Sequence, residues 1–174
     1  MKLARAALLV GLCGCGVAVL AAPKTDKYLK ELKYLFPTAA AFSSPSGNPI
    51  RYTAYGADPA THPEAALLGY AFWTTDLVPN EHGYHGPIHI LVGMDITATL
   101  TGVIVDWDAE PYGYFSVEPE RFAAQFKGKS IREPFRVGLD VDAVSRASLS
   151  IGSATRAIRD SSRLVAKALL TNTF

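Results

Sequence analysis

Residues Ile88–Trp107 read IHILVGMD-ITATL-TGVIVDW, and this stretch settles the class of fold. Ile88 to Asp95 carries apolar residues on both alternating faces, which suits a strand covered on two sides. Ile96 to Leu100 reads as a turn, and Thr101 to Trp107 reads as the next strand. Two strands this close in sequence pair as an antiparallel hairpin. Upstream, Pro79 to Pro87 (PNEHGYHGP) is a turn-rich loop, and Ala66 to Leu77 is apolar and aromatic, a central strand. Asp58 to Glu64 holds two prolines and connects it to a strand at Ile50 to Tyr55. Ala39 to Pro49 is a small, polar, Gly/Pro-containing loop. Asp26 to Leu35 has apolar residues at 28, 29, 32 and 35, a short amphipathic helix ended by Phe36-Pro37.

Downstream of the hairpin, Asp108 to Gly113 is a loop and Pro119 to Phe126 a helix, with Gly128 just past its end. Phe135 to Leu139 reads as a short strand. From Ala147 to Leu170 the apolar positions 151, 154, 158, 165, 168 and 169 share one helical face. The expected fold is α+β: a twisted antiparallel sheet of about four to five strands, with helices near both ends.

Composition narrows the function. The chain has 174 residues, 49% of them hydrophobic and 19% charged, which are globular values. A net charge of +1 gives no field that would select nucleic acid. Lys2 and Arg5 precede an uncharged apolar run from Ala6 to Ala22, the pattern of an export signal. Cleavage after Ala21 or Ala22 ranks first, an uncleaved anchor second and lipidation at Cys15 third. Both cysteines, Cys13 and Cys15, fall inside this segment, so residues 23–174 form a single domain without thiols. Redox chemistry in that domain requires a bound cofactor. No G-x-S-x-G elbow or G-x-G-x-x-G loop is present, which argues against a serine hydrolase or a dinucleotide fold. Trp73 and Trp107 read as core and sheet residues. His82, His85 and His89 have helical spacing, but Gly83, Gly86 and Pro87 forbid a helix there, so no metal site is expected.

Asp142-Ala143-Val144-Ser145-Arg146-Ala147-Ser148 opens directly onto the last amphipathic segment. Ser145 and Ser148 can serve as helix caps, the ordinary use of Ser at that place. A Ser hydroxyl beside a helix N-terminus is also well placed for a phosphate, because free N–H groups and the helix dipole converge there. The residues alone leave both readings open.

The pattern D-x-x-S-x-A-S resembles the attachment motif of the FMN-binding domains of RnfG, NqrC and the NosR regulators. Gly83-Tyr84-His85-Gly86-Pro87-Ile88-His89-Ile90-Leu91-Val92-Gly93-Met94-Asp95 is similar to that family's upstream segment, and Glu110-Pro111 to its acidic turn. Leu35-Phe36-Pro37 and Leu68-Gly69-Tyr70-Ala71-Phe72 look most like the NosR N-terminal type, so the resemblance spans residues 30 to 170. It implies FMN joined to Ser148 through a phosphoester, with Asp142, Ser145, Arg146 and Ala147 as its context. Gly83, Tyr84, His85 and Gly86 would line the isoalloxazine, and Arg146 would pair with the phosphate. The implied protein is an electron carrier outside the cytoplasm, with no catalytic residue of its own. It would be loaded by a flavin transferase and work with a redox protein, membrane-bound or soluble. The alternative is a flavin-free regulatory, assembly or interaction module on the same fold. RnfG and NqrC usually show S-G-A-T; here Arg146 replaces Gly and Ser148 replaces Thr. Gly152-Ser153-Ala154-Thr155 matches that motif in composition only, and Thr155 is rejected as the attachment point.

Overall fold

The computed structural model describes residues 25–170; the expected export segment, with Cys13 and Cys15, lies outside them. A 3-10 turn at Thr25–Tyr28 leads into α1 (Leu29–Leu35), followed by β1 (Ala41–Phe42), β2 (Tyr52–Tyr55) and β3 (Leu67–Trp73). Then come α2 (Thr74–Leu77), β4 (His89–Asp95), β5 (Leu100–Trp107), α3 (Glu120–Ala124) and α4 (Ser148–Leu169). The five strands pair in sequence order, each antiparallel to its neighbour. The α+β meander expected from the sequence is therefore the fold.

The β4–β5 hairpin is its centre, with Val92 opposite Val103 and Gly93 opposite Gly102. The Asp95 carboxylate holds the turn by accepting the N–H groups of Thr97 (2.8 Å) and Thr99 (3.0 Å). Alternation then sends side chains to two cores. Tyr70, Phe72, Ile90, Val92 and Met94 meet Phe122, Phe126, Ile151, Ile158 and Val165 on one face. Ala71, Trp73 and Leu91 meet Leu32, Leu35 and Phe36 of the α1 region on the other. The sheet is thus sandwiched between α1 and the α3–α4 side. Gly93 and Gly102 leave bare backbone beneath α1. A Cβ at Gly93 would lie 3.0 Å from Leu35 Cβ, and one at Gly102 would lie 3.2 Å from Leu35 Cδ2.

Three elements differ from the expectation. The strand at Ala66–Leu77 stops at Trp73, where α2 turns the chain away. The buried Thr74 hydroxyl donates to the Ile88 carbonyl and accepts from the Ile90 N–H, both at 3.2 Å. It takes bonds that a further strand residue would have supplied. β1 lies in the stretch expected to be loop, and its two residues are too few to show alternation. Phe135 to Leu139 is not a strand: only a bridge between Val137 and Val141 forms. The Asp140 carboxylate takes the N–H groups of Phe135 (2.9 Å) and Arg136 (2.5 Å), and the Lys129 ammonium donates to it at 3.1 Å. Side-chain capture of these donors replaces sheet pairing. Trp73 and Trp107 are both sheet residues as expected, but only Trp73 is in the core; Trp107 is exposed at the end of β5.

α4 buries Ile151, Ala154, Ile158 and Val165 as expected, and Leu169 packs half-buried against the same core; only Ala168 of the expected face is exposed. Small polar residues complete that face. The Ser161 and Ser162 hydroxyls donate to the carbonyls of Ala157 and Ile158, each at 2.6 Å. The buried Thr155 hydroxyl has no hydrogen-bond partner among the described residues. Thr155→Val is therefore expected to raise stability by roughly 1 kcal/mol, read as a higher urea midpoint at unchanged slope.

Candidate functional site

Antiparallel pairing sets His89 opposite Trp107, so the loop entering β4 and the loop leaving β5 emerge at the same end of the sheet. α4 packs Ile151 and Ile158 into the same core as Ile90 and Val92, which brings its N-terminus to that end. Three segments distant in sequence therefore meet: residues 83–87, residues 108–112 and residues 146–150.

Glu110 joins them. Its carboxylate is buried, at 8% exposure. It accepts the N–H groups of Tyr84 and His85, each at 2.9 Å, and the hydroxyl of Ser150 in the first turn of α4. Desolvation pushes the Glu110 pKa up. Hydrogen bonds from Ser150, His85 and Tyr84 outweigh it, and the net shift is downward. Its contribution to stability is thus present above the ordinary carboxylate range and is lost as pH falls through the lowered pKa. A second tie is an ion pair between Arg156 of α4 and Glu81, at 2.6 Å.

Against this frame lies a cavity of about 380 Å³ lined by Tyr84, Pro111, Tyr112, Arg146, Ala147, Ser148, Leu149 and Ser150. Ser148 is exposed and is the first residue of α4. It is not a cap: the N-cap is Ala147, and no side-chain cap bond forms. Helix geometry leaves the first N–H groups of α4 without intrahelical acceptors beside the hydroxyl. Asp142 and Ser145 lie on the other side of the segment, lining a separate cavity with Arg121 and Gln125. The Asp142 N–H donates to Gln125 Oε1 at 2.7 Å. Of the 83–87 loop, Tyr84 lines the Ser148 cavity, and His85 packs its ring 4.8 Å from the Tyr84 ring. Gly83 is the tight glycine, since a Cβ there would lie 2.5 Å from Glu110 Oε1. At Gly86 a Cβ would meet no protein atom within 4 Å, but the positive φ of 157° is a backbone that side chains rarely adopt, so conformation rather than space favours glycine there.

The other histidines are engaged elsewhere. His82 Nε2 lies 3.0 Å from the Pro79 carbonyl, and His89 stacks on Trp73 at 4.1 Å. Among the described residues no group of three or more His, Cys, Asp or Glu is placed to hold a metal ion.

Residues 83–162 match the family model of the FMN-binding domain. Over this stretch the chain is similar to an FMN-binding domain. The matched region, a little under half of the chain, contains the whole β4–β5 hairpin, Glu110 and Ser148. FMN is the cofactor this family indicates, and the domain is a flavin-binding module of the electron-carrier kind. No curated protein matches the chain.

The residues present fit FMN. An exposed hydroxyl and a guanidinium flank a helix N-terminus, which suits a phosphate. Tyr84 and Tyr112 supply aromatic surface to the same cavity, which suits a planar ring system. Arg146 also explains its own oddity. Its φ is 68°, in the left-handed region where glycine is at ease, and glycine is what the S-G-A-T form of the motif carries there. Arg146→Gly is expected to raise stability by about 1 kcal/mol, since the Cβ penalty of left-handed backbone disappears. A urea midpoint equal to or below wild type would contradict this. Glu110 and Ser150 had no sequence signal for their pairing, which spans 40 positions. Glu110-Pro111 reads only as the acidic turn of the family's pattern, which does not say what the carboxylate binds.

Proposed function

We propose that this protein is an exported electron carrier of the NosR N-terminal type that holds FMN through a phosphoester at Ser148. One observation carries the reading. Ser148 presents an exposed hydroxyl at the first position of a long helix, in a cavity within the FMN-binding region. The competing hydroxyl of Thr155 is 1% exposed and inside the core, out of reach of a transferase.

In the attachment step Ser148 Oγ forms a bond to the FMN phosphorus of FAD. The pyrophosphate P–O bond breaks, AMP leaves with its electron pair, and the hydroxyl proton passes to the flavin transferase or to solvent. The domain is the substrate of this step, not its catalyst. When bound, FMN supplies one- and two-electron transfer. The chain supplies position. Arg146 would pair with the phosphate, the first N–H groups of α4 would complement its charge, and Tyr84 and Tyr112 would offer aromatic surface to the ring. Tyr84, Tyr112 and Leu149 are themselves exposed, which leaves the site open to a redox partner. A yellow colour that survives denaturation and precipitation distinguishes this carrier from a flavin-free interaction module.

Lys2, Arg5 and the apolar run to Ala22 support export. The domain is expected in the extracytoplasmic fraction. Recovery of the full chain, Met1 included, from soluble cytoplasm would sink this part of the reading. Membrane association that resists high salt would select the uncleaved anchor or a lipid at Cys15.

A further inference from the structure

We propose that Glu110 is a positioning residue for the flavin: it locks Tyr84 onto the first turn of α4 and so fixes the wall of the cavity against which the ring rests. The inference rests on the reading that FMN occupies the Ser148 cavity. Tyr84 and Ser150 both line that cavity, and both are bound by the one carboxylate behind it. The loop has few other internal restraints. The Gly83 N–H donates to the Gly86 carbonyl at 2.7 Å, and Glu81 pairs with Arg156, which leaves the aromatic wall itself to Glu110. Gly83 is bare where the carboxylate passes, so the approach of Glu110 is built into the loop. Arg146 is the only charged side chain lining the cavity, and the Glu110 carboxylate stands directly behind its wall, hydrogen-bonded to the lining residues Tyr84 and Ser150. An anion there disfavours electron uptake by the flavin and holds its potential low.

Glu110→Gln keeps the size and removes the charge and one of the two acceptor oxygens. In the domain without flavin, amide exchange at Tyr84 and His85 is expected to accelerate at least tenfold, with the sheet amides unchanged. In the loaded domain the covalent mass is expected to remain, since Ser148 is untouched. The visible circular dichroism of the flavin should change and its reduction potential should rise. Ser150→Ala, which keeps the charge and both backbone bonds, should alter the dichroism without raising the potential as far. This second variant carries the test if Glu110→Gln does not fold. Exchange at Tyr84 and His85 as slow as wild type, or a loaded variant with wild-type dichroism and potential, would overturn the proposal. Wild-type protein that gains no FMN mass in a host that loads a control domain would instead remove the reading beneath it.

Discussion

Ser148→Ala is expected to abolish covalently bound FMN and to leave the fold intact. In the proposed attachment step this hydroxyl is the nucleophile, and the segment offers no substitute. Ser145 faces another cavity, Ser150 donates to Glu110, and Thr155 is buried. The cost to stability is small, within about 0.5 kcal/mol, because Ser148 is exposed and makes no cap bond that could be lost. Ser148→Thr keeps a hydroxyl at the same place and should load as well as wild type. Asp142→Ala should reduce loading through the transferase, since Asp142 is exposed and lines the far side of the attachment segment. Thr155→Ala should leave attachment unchanged. Intact mass after co-expression with a flavin transferase, followed by peptide mapping, reads all four variants. An adduct mapped to Thr155, or one persisting in Ser148→Ala, would refute the assignment.

Gly83→Val is the second large effect. The new Cβ would lie 2.5 Å from Glu110 Oε1 and 2.7 Å from its carboxyl carbon. That carboxylate is buried and held by three donors, so it cannot swing aside without leaving them unpaired. The expected cost is about 1–3 kcal/mol of stability, the usual range for forcing atoms into a packed site. The loop is expected to detach from α4, and the flavin signal in visible circular dichroism to weaken, while covalent mass remains. A urea midpoint at the wild-type value would show that the loop does not sit against Glu110.

The two halves of the site were legible to different degrees. Ser148 and Arg146 stand in a contiguous motif just before a periodic apolar segment, so local sequence carries both the helix start and the hydroxyl beside it. The strands of the hairpin announce themselves the same way, because a pleated strand writes its two faces into alternate residues. β1 is too short to write anything, and the Phe135–Leu139 segment writes a strand pattern that Asp140 overrides by binding the backbone.

Sequence by itself determined the antiparallel α+β class, the helix carrying Ser148 and the flavin family, since each depends on period or on a contiguous motif. Tertiary structure alone decided which of these residues share a cavity. It set Asp142 and Ser145 apart from Ser148, buried Thr155, and placed a carboxylate between Tyr84 and Ser150. The reason is that a buried charge is satisfied by whichever donors the packed elements bring to it. Those donors lie 25, 26 and 40 positions from Glu110, and no local pattern records such distances.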